Sequence, residues 1–141
     1  MPGEGRVIDA SVLGAAFFEE VDTPSARRFV GCATNLLAPS LLLFEIASIA
    51  AKKAWKGLAG PEVGERAIRE TRTLVRLVEP TTELALCAYQ WAREFRLSVY
   101  DASYLALAQA EDLTVVTLDA RLELRARENG LGHLVRRLAE T

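Results

Sequence analysis

Apolar residues along this chain fall into two patterns: short continuous runs, and longer stretches with apolar positions three and four apart. Short runs bounded by turn residues predict buried strands, and the helical spacing predicts amphipathic helices. Residues 6–10, 35–39, 74–79, 113–118 and 134–138 read as strands, the last a short edge strand. Between them the spacing predicts helices over 11–20, 23–32, 40–57, 61–73, 81–95, 101–111 and 119–128. Residues 1–5 read as a short leader, and 97–100 as a connection.

The punctuation agrees with these boundaries. Thr23-Pro24 is a helix start, with a capping hydroxyl and then proline at the first helical position. Ser40 is placed to cap the third helix, and Thr81 or Thr82 the fifth. Gly60-Pro61 is a break, Pro80 stops a strand, and Asn129-Gly130 is a helix C-cap signal. Strands and helices alternate throughout. That pattern predicts an α/β fold, a three-layer α/β/α sandwich whose mainly parallel central sheet has about four or five strands. With no internal repeat, low-complexity tract or linker, one domain with a core of about 6–138 is expected. In such open sheets the ligand site lies beyond the carboxyl ends of the strands.

Composition narrows the classes. At 141 residues the chain can bury a real core, and half of it is apolar. The N-terminus shows no signal-peptide pattern, and no apolar stretch approaches a membrane span. Cys32 and Cys87 are isolated, which argues against zinc or a disulfide and for two core thiols in a reducing cytosol. A net charge of −2 argues against a general nucleic-acid coat protein.

Four acids stand out against this background. Asp9 ends the run Val7-Ile8-Asp9, Glu45 interrupts Leu41-Leu42-Leu43-Phe44-Glu45-Ile46, Asp101 opens a helical pattern, and Asp119 follows Leu113 to Leu118. Each has a structural reading. Asp9 and Asp119 fit as N-caps, Asp101 stands three residues after Ser98 as in a capping box, and Glu45 could share an exposed face with Ser48 and Lys52. Together they suit another role. A carboxylate in apolar structure is costly unless it is paired or binds a metal. Clustered carboxylates suit Mg²⁺ or Mn²⁺, which prefer oxygen ligands. One or two such ions could activate a water against a phosphodiester.

The motifs Val7-Ile8-Asp9-Ala10-Ser11, Leu43-Phe44-Glu45-Ile46-Ala47-Ser48, Tyr100-Asp101-Ala102-Ser103-Tyr104-Leu105-Ala106-Leu107-Ala108 and Val116-Thr117-Leu118-Asp119-Ala120-Arg121-Leu122 resemble those of the PIN domain family, most closely its VapC-type toxins. The resemblance spans nearly the whole chain. It implies a sheet between helical layers and a Mg²⁺- or Mn²⁺-dependent endoribonuclease. It also implies a homodimer and inhibition by a cognate antitoxin in a type II pair. By position, Asp9, Glu45, Asp101 and Asp119 would form the catalytic, metal-holding site, and Ser11 and Thr117 match hydroxyl positions that support the first and last acids.

Other features have two readings. Arg66, Arg69, Arg72 and Arg76 recur on one side, following Lys52, Lys53 and Lys56; they could touch RNA phosphates or form a solvated face with Glu65 and Glu70. Trp55, Tyr89, Trp91, Tyr100 and Tyr104 fit core packing or a dimer interface better than base stacking. Phe17-Phe18 fits burial against the sheet, or a groove for a partner segment. His133 reads as structural or exposed. Rival classes fit less well. A von Willebrand-type site wants D-x-S-x-S, where this chain has Asp9-Ala10-Ser11-Val12-Leu13. A haloacid-dehalogenase phosphatase wants an acid where Ser11 stands, and a receiver domain wants an acidic pair near the first strand. The remaining alternative is a non-catalytic PIN-like or metal-dependent RNA- or protein-binding module.

Overall fold

Among the described residues five short runs become five strands in one sheet: β1 (Arg6–Ile8), β2 (Leu36–Pro39), β3 (Arg76–Val78), β4 (Val115–Thr117) and β5 (Val135–Arg137). The computed structural model describes residues 5–138, so all of the expected leader but Gly5 lies outside the described residues. The order is β3-β2-β1-β4-β5, and every pairing is parallel. The central strands are apolar on both faces because helices cover both. Val7, Ile8, Val115 and Val116 have no exposed surface. The edges carry charge instead, with Arg76 on β3 and Arg136 on β5 exposed, which discourages further strand pairing.

Among the described residues seven α-helices connect the strands: α1 (Ala10–Phe17), α2 (Thr23–Cys32), α3 (Leu42–Trp55), α4 (Pro61–Leu74), α5 (Thr82–Phe95), α6 (Val99–Glu111) and α7 (Ala120–Glu128). The chain winds outward from β1 to β2 to β3, then returns to β4 beside β1 and on to β5. Right-handed crossovers therefore put α1 to α4 on one face and α5 to α7 on the other. The packing follows: α1 lies on α2 and α3, α3 on α4, and α5 on α6. Ala88 of α5 meets Ala102 and Ala106 of α6, small residues that let the two helices approach closely. Because α6 is held between α5 and the sheet, its middle is buried nearly all round, from Tyr104 to Ala108.

Several boundaries moved for local physical reasons. Ser40 does not cap α3; its hydroxyl turns to Glu79 Oε2 at 3.4 Å, and only its carbonyl meets the helix, accepting from Leu43 N–H. Thr23 is not a cap either. It is buried inside the first turn of α2, where its hydroxyl accepts from Glu20 N–H and donates to Ala15 O at 2.7 Å, tying α2 to the end of α1. Helix α6 begins at Val99, two residues before Asp101, because Ser98 caps it. Leu74 belongs to α4, and Leu134 to a 3₁₀ turn before β5.

Thr81 does cap α5, accepting from Leu84 N–H. Gly130, at φ +77°, closes α7: Leu131 N–H reaches Ala126 O and Gly130 N–H reaches Arg127 O. Cys32 is exposed at the end of α2 and Cys87 is only partly buried, so they are not the core thiols expected; both are free. The usual burial of isolated free thiols put them inside, but Cys32 sits on the solvent side of α2. Among the described residues no helix is long and apolar enough to cross a membrane.

Leu105 of α6 is fully buried against the sheet, whereas Leu124 of α7 is 55% exposed. Leu105→Ala should cost about 2–5 kcal/mol in urea denaturation and Leu124→Ala less than about 0.5 kcal/mol. Equal losses would mean that this side of the sheet is not the core.

Candidate active site

Strand β1 is the point from which the chain first winds one way and to whose other side it later returns, so the crevice between the carboxyl ends of β1 and β4 is the natural ligand position of this topology. Asp9 and Asp119 stand there because each closely follows one of those strands. Glu45 arrives in the first turn of α3, soon after β2 ends. Asp101 arrives in the first turn of α6, which runs back antiparallel to β4 and so starts at the same edge.

Asp9 is the innermost acid, 7% exposed. Its Oδ1 accepts from Ser11 N–H at 3.1 Å, Val12 N–H at 3.3 Å and the Ser11 hydroxyl at 2.6 Å. Its Oδ2 accepts from the Thr117 hydroxyl at 2.5 Å. Each hydroxyl in turn accepts a backbone N–H from the turn after β4. Leu118 N–H donates to Ser11 Oγ, and Asp119 N–H to Thr117 Oγ1, both at 2.9 Å. Two hydroxyls thus bolt the first acid to the segment that carries the last. These bonds favour the ionised carboxylate, but burial outweighs them, and the Asp119 charge adds to burial; Asp9 is pushed up to about 6.

The other acids share one electrostatic field. Burial raises the Glu45 pKa, opposed by a hydrogen bond from Tyr104 and reinforced by the charges of Asp9 and Asp101. Burial and then the charge of Asp119 raise Asp101, while Ser98 and the nearby Arg121 guanidinium lower it. Asp119 caps α7, its Oδ1 accepting from Arg121 N–H at 2.9 Å and Leu122 N–H at 3.3 Å. Among the described residues, no three Asp, Glu, His or Cys side chains stand close enough to grip an ion in this arrangement. The donor chemistry nevertheless fits a hard cation. All four groups are carboxylates, and Mg²⁺ keeps several waters and needs only one or two protein carboxylates.

Two residues with no site role assigned from sequence belong to this neighbourhood. Tyr104 is buried and donates from its hydroxyl to Glu45 Oε1 at 2.5 Å. Arg121 is the cation that acts on Asp101. Both lie inside the recognised motifs, and the three-residue step from Asp101 to Tyr104 on one helix was the available signal.

The arginines of α4 are exposed and do not figure among the charges that shift the four acids. Arg69 pairs with Glu65 at 3.5 Å in full solvent, a contact worth little. Trp55, Tyr89 and Tyr100 are exposed, which rules out core packing for those three. Phe18 is buried, while Phe17 lines a groove with Leu58 and Val63, rimmed by Arg27, Lys53 and Arg66. His133 is exposed.

A family model for the PIN domain matches residues 6–128. The chain belongs to the PIN domain family. A relative from Mycobacterium bovis, VapC ribonuclease Mb0985, is 36% identical over 116 residues, covering 82% of this chain and 87% of that protein. Among solved structures, VapC20 of Mycobacterium tuberculosis, described as a sarcin-ricin loop cleaving toxin, superposes with a TM-score of 0.71. It is 17% identical and covers 84% of this chain and 92% of that one. A toxin-antitoxin complex from Klebsiella pneumoniae gives 0.66 at 17% identity, covering 84% and 89%. At that identity the structural likenesses establish the fold, here the PIN-type α/β/α sandwich.

Asp9 holds its proton more tightly in the folded chain than in the unfolded one. Folding therefore takes up a proton between about pH 3.8 and about 6, and stability falls as pH rises through that window. In EDTA the wild type should lose up to about 3 kcal/mol relative to Asp9→Asn between pH 4 and 7. Parallel urea-midpoint profiles for the two proteins would contradict the burial argument.

Proposed function

We propose that this PIN domain is a metal-dependent endoribonuclease and the toxin of a type II toxin-antitoxin pair. One observation carries the reading. Four carboxylates share one electrostatic field at the carboxyl edge of β1 and β4, in a chain whose relative is named a VapC ribonuclease.

Asp9, Glu45, Asp101 and Asp119 would hold Mg²⁺ or Mn²⁺. When bound, the cation supplies activation of a water and neutralisation of charge on the leaving oxygen. The rest falls to this chain's own residues. Ser11 and Thr117 fix both oxygens of Asp9, so its carboxylate plane is set before RNA arrives. Asp119 spends Oδ1 on the helix cap, and Oδ2 would serve the cation. Arg121, beside Asp101, is placed to meet a phosphate oxygen.

A cognate antitoxin and a homodimer complete the reading. The Klebsiella complex supports the first. Exposed Leu86 and Tyr89, one turn apart on α5, support a face covered by protein. The activity belongs in the cytoplasm, where RNA is the substrate. A binding-only module remains the alternative outcome of the test.

Induced in a bacterial host, the wild type should create new RNA 5′ ends at one or a few sites, and Asp101→Asn should create none. In purified form EDTA should stop cleavage and Mn²⁺ restore it. No new ends from a soluble wild type across several host transcriptomes would favour the binding module. If α4 holds RNA, Arg69→Ala and Arg72→Ala should weaken binding at low salt and lower the slope of log affinity against log salt by about one each. Unchanged slopes would return those arginines to the solvated face.

A further inference from the structure

Tyr104 has no evident place in phosphodiester hydrolysis, yet it touches the site. It lies one turn after Asp101 on α6, and its ring is 2% exposed. Burial, and then the Glu45 charge, push its pKa far up, so the phenol stays protonated and acts as a donor. Its hydroxyl reaches Glu45 Oε1 at 2.5 Å, across 59 positions of sequence. Helices α3 and α6 belong to opposite layers of the sandwich. The bond therefore joins the two layers at the strands' carboxyl edge.

Glu45 needs such a tether. It has three rotatable side-chain torsions, and the charges of Asp9 and Asp101 favour swinging it outward into water. Among the described residues Tyr104 gives the only hydrogen bond to this carboxylate. A buried phenol by itself would be satisfied by any acceptor, such as a carbonyl or a water, without drawing a charge into apolar surroundings.

We propose that Tyr104 is a positioning residue: its hydroxyl locks the Glu45 carboxylate in one rotamer, with Oε1 held by the phenol and Oε2 presented to the acidic crevice. The consequence for catalysis rests on the ribonuclease reading; the tether itself does not. Tyr104 does not touch the reacting atoms. It acts by fixing the distance between the acid of α3 and the acid of α6.

The test is Tyr104→Phe, which keeps the ring and removes only the hydroxyl. With glutamate labelled at the side-chain carboxyl carbon, the Glu45 resonance is assigned by its loss in Glu45→Ala. In Tyr104→Phe that resonance should move toward that of the exposed Glu65, with the other glutamates unshifted. In RNA cleavage with Mn²⁺, kcat should fall about tenfold to a hundredfold while KM stays within about twofold. Glu45→Asp gives the same information from the other side. Shortened by one methylene, the acid leaves the phenol, and the Tyr104 Cζ resonance should shift while the fold is kept.

A Glu45 resonance that ignores Tyr104→Phe, or a Tyr104 resonance that ignores Glu45→Asp, overturns the tether whatever RNA does. A moved resonance with unchanged kcat overturns the positioning role. Movement of many glutamate resonances together means a general packing role and overturns it too. A wild type that cuts no RNA, with the Glu45 resonance responding, sinks the ribonuclease reading and leaves the tether established.

Discussion

The burial of a carboxylate, Asp9, at the point where the sheet changes winding direction is the constraint on which the rest of the structure depends. A charge in that position is unfavourable, and the chain offsets the cost with donors rather than with a counter-ion. Two come from the backbone at the start of α1 and two are hydroxyls, Ser11 and Thr117. The hydroxyls are useful only because β1 and β4 are neighbours in register, Val7 opposite Val115 and Ile8 opposite Val116. Thr117 then falls beside Asp9, one position beyond the last paired residue of β1. Slipping that register by one residue would turn Thr117 to the opposite face and strand the carboxylate.

The same constraint explains the form of the strands. They are three or four residues long; the central ones are mostly apolar and supply the packing, and β1 and β4 end just short of Asp9 and Asp119. The helices then bring the remaining carboxylates from outside the sheet. Glu45 and Asp101 lie in first turns, where the helix dipole favours negative charge. That contribution partly offsets the repulsion among the four. Neither acid is buried as deeply as Asp9, and solvent at the crevice mouth tempers the rest.

Periodicity in the sequence was enough to find every strand, every α-helix and the parallel, two-sided sheet, because short apolar runs alternating with helical spacing leave few other topologies. It also singled out the four acids, since charge inside such runs needs a reason. What it could not show were interactions set by tertiary placement. Ser40 and Thr23 carry hydroxyls suited to capping, but a nearby acid and a pair of open carbonyls offered them other partners. Cys32 lies on the wet side of its helix, against the general preference of free thiols for the interior. Tyr104 read as packing because a buried phenol and a site tyrosine look the same until its acceptor is known. Arg121 hid in plain view, since its contribution depends on Asp101, twenty positions earlier and on another helix.

The capping and site roles of Asp9 and Asp119 looked like rivals in the sequence, and the geometry removes the conflict. A helix cap uses one oxygen of a carboxylate, and Oδ1 serves in both residues. Binding that oxygen to two consecutive amides fixes the direction of the group; in Asp9 the Thr117 hydroxyl holds Oδ2 as well, whereas in Asp119 the cap leaves Oδ2 unused. A carboxylate on a flexible loop would have to be ordered when ligand arrives, and that ordering would weaken binding. Here folding has already done the ordering. Glu45 is fixed without a cap, one oxygen being held by Tyr104. In Asp119 and Glu45 the structural bonds therefore use one oxygen, whereas in Asp9 both oxygens are held, and in each case structural bonds fix the side chain before any ligand arrives.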